Sequence, residues 1–146
     1  MKKTNYKIIK NSTILKNQNY PIIDVAVTFF NHENIVLNIL SSVTNNCKYS
    51  FNLIVLDDKS EDKTLVKILE FMKKVENKQI NNWEKIFSIM IIQSTKQLNF
   101  ETICSNIHMN FTLTKHLMYL QVDQIILEKD IDAKLIKVME KNEEIF

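Results

Sequence analysis

Short apolar runs alternate with longer stretches of helical periodicity along this chain, and that order leaves few folds open to it. Ile22–Phe30 is apolar and β-rich, and after Asn31 the residues Ile35, Val36, Ile39, Leu40 and Val43 recur at i, i+3, i+4 spacing. Leu53–Leu56 is a second apolar run, and after Asp62 the residues Leu65, Val66, Ile68, Leu69, Met72 and Val75 again keep helical spacing. Ile86–Ile92 is a third run, and residues 100–114 read as helical. Leu117–Leu120 is a fourth run, and Asp130–Lys141 is a last helix with Ile131, Leu135, Ile136, Val138 and Met139 apolar. An order βαβαβαβα is that of a parallel sheet with right-handed crossovers. The expectation is therefore an α/β chain, a three-layer α/β/α domain with a mainly parallel, Rossmann-like sheet. Its strands should fall near residues 23–28, 53–57, 86–92 and 117–121. Residues 1–20, rich in Lys and Asn, read as an arm that adds a short strand or packs on the surface, with Pro21 at its end. Residues 77–84 read as a loop, and no repeat, low-complexity tract or linker divides residues 21–146.

Composition narrows the function. A chain of 146 residues fits one domain with a real core. Its net charge of +2 is too small to argue for nucleic acid. All 19 basic residues are lysines; arginine and glycine are absent and alanine nearly so, as an AT-rich coding bias would leave them. No arginine fork can clamp a diphosphate, so lysine or a metal must do so. Without glycine, tight phosphate-cradling loops are not expected. Cys47 and Cys104 lack the spacing of a metal site or a disulfide framework, and His32, His108 and His116 lack zinc spacing. Two reduced thiols, no apolar run long enough to span a bilayer and no signal-peptide core point to a cytoplasmic protein.

The most informative segment is Leu53-Ile54-Val55-Leu56-Asp57-Asp58-Lys59-Ser60-Glu61-Asp62-Lys63-Thr64. A buried strand runs straight into two carboxylates, at the strand end where open α/β sheets bind ligands. Adjacent carboxylates repel, and a buried one needs a partner. The plain alternative is that Ser60 and Asp62 cap the next helix and the acid pair is solvated turn. Two further polar clusters close the first and fourth strands: Thr28-Phe29-Phe30-Asn31-His32-Glu33 and Gln121-Val122-Asp123-Gln124. Parallel strands bring all three clusters to one sheet edge. An aromatic ring, a carboxylate pair and a further carboxylate there suit a nucleotide with a divalent metal. The plain alternatives are that Phe29 and Phe30 are core, that Asp123 is a turn residue, and that His32 and Glu33 are exposed residues of a first helical turn.

At these residues the chain resembles the family 2 glycosyltransferases of the GT-A fold. Val25-Ala26-Val27-Thr28-Phe29-Phe30-Asn31 is similar to that family's opening strand and Pro-Thr-Tyr-Asn turn. Leu56–Thr64 resembles its Val-Asp-Asp-Gly-Ser-x-Asp-x-Thr segment, with Lys59 in place of glycine. Asn106 falls near its helix asparagine, and Leu120-Gln121-Val122-Asp123 resembles its Leu-Asp-x-Asp. The order agrees from about residue 21 to the C-terminus. The resemblance implies that Thr28 and Phe30 contact a nucleobase, Phe30 standing in for the usual stacking tyrosine. It implies that Asp58 accepts a hydrogen bond from the base, with Asp57 beside it supporting the turn as part of the nucleotide-binding set. Asp123 falls on the second acid of the DxD motif and so on the metal ligand, Mn or Mg, bound together with nucleotide.

Two departures shape the functional expectation. Gln121 replaces the first DxD acid, and Gln124 a frequent third acid, so the motif is degenerate. Residues 124–146 leave room for one helix, whereas the family places its acceptor half and catalytic base well beyond DxD. Glu128, Asp130, Asp132, Glu140, Glu143 and Glu144 read as the solvated face and ends of that helix. The chain is thus expected to be a glycosyltransferase-like, nucleotide-sugar-binding half, truncated before the acceptor half, with no identifiable base. It would bind a UDP- or GDP-linked sugar and transfer it only with a second copy or a partner glycosyltransferase. Two alternatives stay open, a non-catalytic nucleotide-binding remnant and an interaction module that keeps the fold. A receiver domain also carries such an acid pair, but its phospho-accepting aspartate would have to end the next strand, which here ends Ile91-Ile92-Gln93-Ser94.

Overall fold

Period-two alternation within the apolar runs gives the sheet two different faces. Val25, Val27 and Phe29 point to one side with Leu53, Val55, Ile89, Ile91, Met118 and Leu120. Ala26, Ile54, Leu56 and Ile92 point to the other. The structure, a computed structural model, describes residues 5–15, 20–99, 101–121 and 123–142. Its elements are β1 (Tyr6–Thr13), β2 (Ile23–Phe29), α1 (Val36–Asn46), β3 (Phe51–Asp57), α2 (Thr64–Glu76), β4 (Ile86–Ser94), α3 (Glu101–Met109), β5 (His116–Leu120) and α4 (Ile131–Lys141). Helices α1, α2 and α4 cover the first face through Val36, Ile39, Leu40, Val43, Ile68, Phe71, Met72, Val75 and Ile136. Helix α3 covers the second through Cys104 and Ile107. This is the expected three-layer α/β/α domain.

The sheet order is β1-β4-β3-β2-β5. Strands β2 to β5 are parallel, and β1 runs antiparallel along β4. The arm thus supplies an edge strand, with Lys7 and Lys10 breaking its exposed side. Residues 1–4 and 16–19 of the arm lie outside the described residues, as do Glu143 and Glu144. The chain moves from β2 through β3 to β4 in one direction, then returns across the sheet to place β5 on the other side of β2. The strand order therefore reverses between β2 and β5, and that crevice is where a parallel sheet offers a ligand site.

Helix α1 starts at Val36, not just after Asn31, because the backbone of residues 31–33 is hydrogen-bonded to the β3–α2 turn instead. Helix α3 is shorter than the 100–114 expected. Its last turn closes on Asn110 and Phe111, Thr112 Oγ1 donates to the Met109 carbonyl, and Asp24 captures the next two backbone amides, of Leu113 and Thr114. The 77–84 loop ends in a short 3₁₀ turn over Trp83–Lys85. Asp132 departs from the solvated face expected for it. It is fully buried and accepts the Lys48 and Tyr49 backbone N–H groups at 2.7 and 2.8 Å, which docks α4 onto the α1–β3 connection.

With no glycine available, six of the described residues take the left-handed conformation: Asn31, Lys59, Lys78, Asn82, Asn99 and Asp130. Four are Asn or Asp, which tolerate it best. Lys59, at φ 60°, holds a left-handed turn position that glycine would fill without strain. A Cβ there costs about 1–2 kcal/mol, and the greater freedom of an unfolded glycine returns part of it. Lys59→Gly is expected to raise stability by about 0.5 kcal/mol, read as a higher urea midpoint. A lower midpoint would show that the lysine side chain makes a contact worth more than the strain.

Candidate functional site

Two βα turns build one wall of the site. Asp58 N–H donates to the Phe29 carbonyl at 2.8 Å, joining the ends of β2 and β3. Beyond that point the turns exchange side chains for backbone partners. Asn31 N–H donates to Ser60 Oγ, and Glu61 N–H to Asn31 Oδ1. His32 N–H donates to Thr64 Oγ1, Glu33 N–H to Asp62 Oδ2, and Lys63 N–H to Glu33 Oε2. Asp62 also accepts from Thr64 N–H at the start of α2. Slight burial raises the pKa of Asp62, but the hydrogen bonds from Thr64 and Glu33 outweigh it and hold the carboxyl below its usual range. Ser60 thus ties the two turns together without capping α2, Asp62 meets the first residue of that helix, and the acid pair is buried, not solvated.

Asp57 and Asp58 part company. Asp57 is fully buried, accepting Gln93 Nε2–H at 2.9 Å and Ser60 N–H at 3.3 Å, and it supports the turn from below. Asp58 is 5% exposed, accepts Leu98 N–H at 2.9 Å and Asn99 N–H at 3.3 Å, and reaches a cavity. That cavity, about 600 Å³, opens at the carboxyl ends of the parallel strands where the order reverses. Thr28 and Phe30 from the end of β2, Asp58 from β3, and Asp123 from beyond β5 all line it. Four of the five residues picked from the sequence thus meet at one crevice, and Asp57 lies beneath it. Phe29 is core, and Phe30 is half-buried at the cavity.

Sequence reasoning missed the opposite wall. Gln97, Asn99, Glu101, Cys104, Tyr119 and Gln121 line it there, and His32 joins the lining from the turn after β2. Gln121 Nε2–H donates to Glu101, a carboxylate at the start of α3. The alternation of β5 could have found Tyr119, which shares the α3-facing side with Leu117. Burial pushes the Cys104 thiol up to about 11, with the Asp58 charge adding to it. Beneath the lining, His108 is fully buried, and that burial lowers its pKa to about 4. Asn106 sits on the exposed side of α3 and does not line the cavity. A second cavity, about 560 Å³, lies at the other end of the strands and is lined by no carboxylate.

Residues 24–86 match the model of glycosyl transferase family 2. That stretch is similar to the N-terminal part of a family 2 glycosyltransferase. The match runs from the start of β2 to the first residue of β4 and includes the whole laced wall. No curated protein matches the sequence. Among solved structures, S. aureus TarS 1-349 in complex with UDP-GlcNAc superposes with a TM-score of 0.65 at 15% identity, over 84% of this chain and 32% of that one. The same protein in complex with UDP gives 0.66, again at 15% identity, over 84% of this chain and 33% of that one. The mannosyltransferase PcManGT from Pyrobaculum calidifontis, in complex with GDP-Man and Mn²⁺, gives 0.68 at 13% identity over 83% and 33%. The chain spans about a third of the length of each of those proteins. The likeness shows a shared GT-A, Rossmann-like fold.

Proposed function

We propose that the chain binds a nucleoside diphosphate sugar, UDP- or GDP-linked, in the cavity between Phe30, Asp58 and Asp123. The observation that carries this reading is the convergence of Thr28, Phe30, Asp58 and Asp123 on one crevice at the reversal of strand order. Phe30 offers a ring face to the base, and Asp58 retains acceptor capacity beyond its two backbone donors, since a carboxylate has about four lone-pair sites. Asp57 serves by holding the turn that aims Asp58. The complexes of the structural relatives with UDP, UDP-GlcNAc and GDP-Man support the choice of ligand class.

A divalent metal fits this donor set only in company. Among the described residues no group of three His, Cys, Asp or Glu could hold an ion. Asp123 supplies one carboxylate, and Mg²⁺ and Mn²⁺ are commonly held by one or two carboxylates plus substrate phosphates. In our reading Asp123 holds the ion against the diphosphate, and the ion supplies the charge that an absent arginine would otherwise provide. Mn²⁺ affinity, followed by electron paramagnetic resonance, is expected only with nucleotide present and is expected to vanish in Asp123→Ala. Tight Mn²⁺ binding to the nucleotide-free chain would contradict it.

No residue is assigned as the base that an inverting transfer requires. Transfer is proposed to need an acceptor half from a second copy or a partner glycosyltransferase. Calorimetry with UDP and GDP, with and without Mn²⁺, tests the binding, and Asp58→Ala is expected to abolish it. A hydrogen bond to a charged group is worth about 1.5–3 kcal/mol, and the Leu98–Asn99 backbone loses its anchor as well. Unchanged affinity in a variant shown to be folded would overturn the assignment of Asp58. Robust sugar transfer by the chain alone would overturn the need for a partner.

A further inference from the structure

Among the described residues that line the cavity at Asp58 and Asp123 there is no lysine, and the chain has no arginine. The lysine that composition offered as a diphosphate clamp is thus missing from the wall. Three carboxylates line it instead: Asp58 at the end of β3, Glu101 on α3 and Asp123 beyond β5. An anion entering there meets like charge from three elements. Of these lining side chains, only His32 can carry a positive charge.

His32 is held from three sides. Its N–H donates to Thr64 Oγ1 at 2.8 Å, and its carbonyl accepts the Ile35 and Val36 N–H groups. Ring Nδ1 meets the Phe30 carbonyl oxygen. A carbonyl only accepts, so Nδ1 carries a proton in the neutral ring and in the charged one alike. Nε2 is therefore the atom at which the ring gains or loses its charge. It has no partner among the described residues and is not shut away from solvent. The titratable groups that share the cavity with it are Asp58, Glu101, Cys104, Tyr119 and Asp123. Glu33 and Asp62 flank it in the laced turns, and Lys59 and Lys63 of those turns do not line the cavity. The carboxylates favour a charged ring and oppose an anionic ligand.

We propose that His32 binds the diphosphate as an imidazolium, so that nucleotide entry takes up one proton from solvent. This rests on the nucleotide reading above and adds to it a residue and a proton. Nδ1–H stays on the Phe30 carbonyl, and Nε2–H donates to a diphosphate oxygen. A neutral ring would turn a lone pair toward that oxygen, so only the charged form pairs. An anion beside the ring favours its charged form, and by reciprocity the proton tightens the hold on the anion. Affinity therefore rises as pH falls through the range in which imidazoles ordinarily titrate.

UDP-GlcNAc and GDP-mannose are the probes, because a diphosphate esterified at both ends does not titrate near neutrality, whereas a terminal phosphate does. Calorimetry of the whole chain with each, Mg²⁺ present, should show about tenfold tighter binding at pH 6 than at pH 8. Buffers of different ionisation enthalpy should show net proton uptake on binding. His32→Gln should bind with a level pH profile, near the affinity of the unmodified chain at pH 8. His32→Lys, a fixed cation, should also be level but near the affinity at pH 6, a rescue that packing alone would not produce. Urea midpoints check that both variants are folded. A level profile in the unmodified chain would overturn the proposal and leave the nucleotide reading standing. So would tightening that survives in His32→Gln, or a lysine variant no tighter than the glutamine one at pH 8. Binding of neither probe, nor of UDP or GDP, would overturn the nucleotide reading and the role of His32 with it.

Discussion

Asp24→Ala is expected to lower stability by about 4 kcal/mol. Asp24 sits near the start of β2, far from the cavity, and has no exposed surface. One carboxylate oxygen accepts Asn52 Nδ2–H at 2.7 Å. The other accepts Leu113 N–H at 2.8 Å, Thr114 N–H at 2.7 Å and the Thr114 hydroxyl at 2.8 Å. Asn52 in turn accepts from Ser88 Oγ at 2.6 Å, so a polar ladder crosses β2, β3 and β4 beneath the α3–β5 connection. Alanine would strand the buried Asn52 amide and take the charged acceptor from two part-buried backbone donors, at about 1–3 kcal/mol each. Asp24→Asn keeps the shape and should cost about half as much, because one of its two side-chain atoms then faces donors with a donor. Urea denaturation measures both, and a loss below about 1 kcal/mol for alanine would show that the ladder does not hold the connection.

Acidification is expected to destabilise the chain through His108. Burial places its folded pKa at about 4, against an ordinary value of 6.5. The folded state therefore resists a proton that the unfolded state takes up. The stabilising contribution is complete above pH 6.5, falls as pH drops below that value, and is gone once pH passes about 4. The shift corresponds to roughly 3 kcal/mol over the whole window. Between pH 6.5 and 5 most carboxylates stay ionised, so the histidine should dominate there. Urea midpoints measured across this range should fall for the unmodified chain and stay nearly level for His108→Gln. Parallel curves would assign the acid sensitivity to other groups.

Much of the fold was legible because apolar periodicity survives an unusual composition. Val25 and Val27 on β2, Leu53 and Val55 on β3, and the stripes of α1 and α2 follow from spacing alone. The acid pair at the end of β3 stood out because a buried carboxylate needs a partner, and both carboxylates have one. What spacing cannot show is which strand lies beside which. The reversal between β2 and β5 depends on a crossover, and the edge strand β1 carries too few apolar residues to announce itself. The division of labour between Asp57 and Asp58 was legible only in part, since Gln93 and Leu98, which separate them, are about 40 residues away in sequence. Asp132, Tyr119 and His108 were missed for the same reason. Each is defined by a partner from another element, and a helical pattern that places His108 near Ile107 says nothing of Thr28, whose hydroxyl it meets.

The reciprocal hydrogen bonds between the turns at 31–33 and 58–64 have a thermodynamic consequence for anything that enters the cavity. Ordering a flexible segment costs about 1–2 kcal/mol per residue, and a loop that closes only on binding draws that cost from the ligand's affinity. Here Asn31, His32, Glu33, Ser60, Asp62 and Thr64 hold one another before any ligand arrives. The wall that carries Phe30 and Asp58 is preorganised, its entropy already given up when the sheet formed. Contacts made on that side are therefore free to appear in full as binding energy.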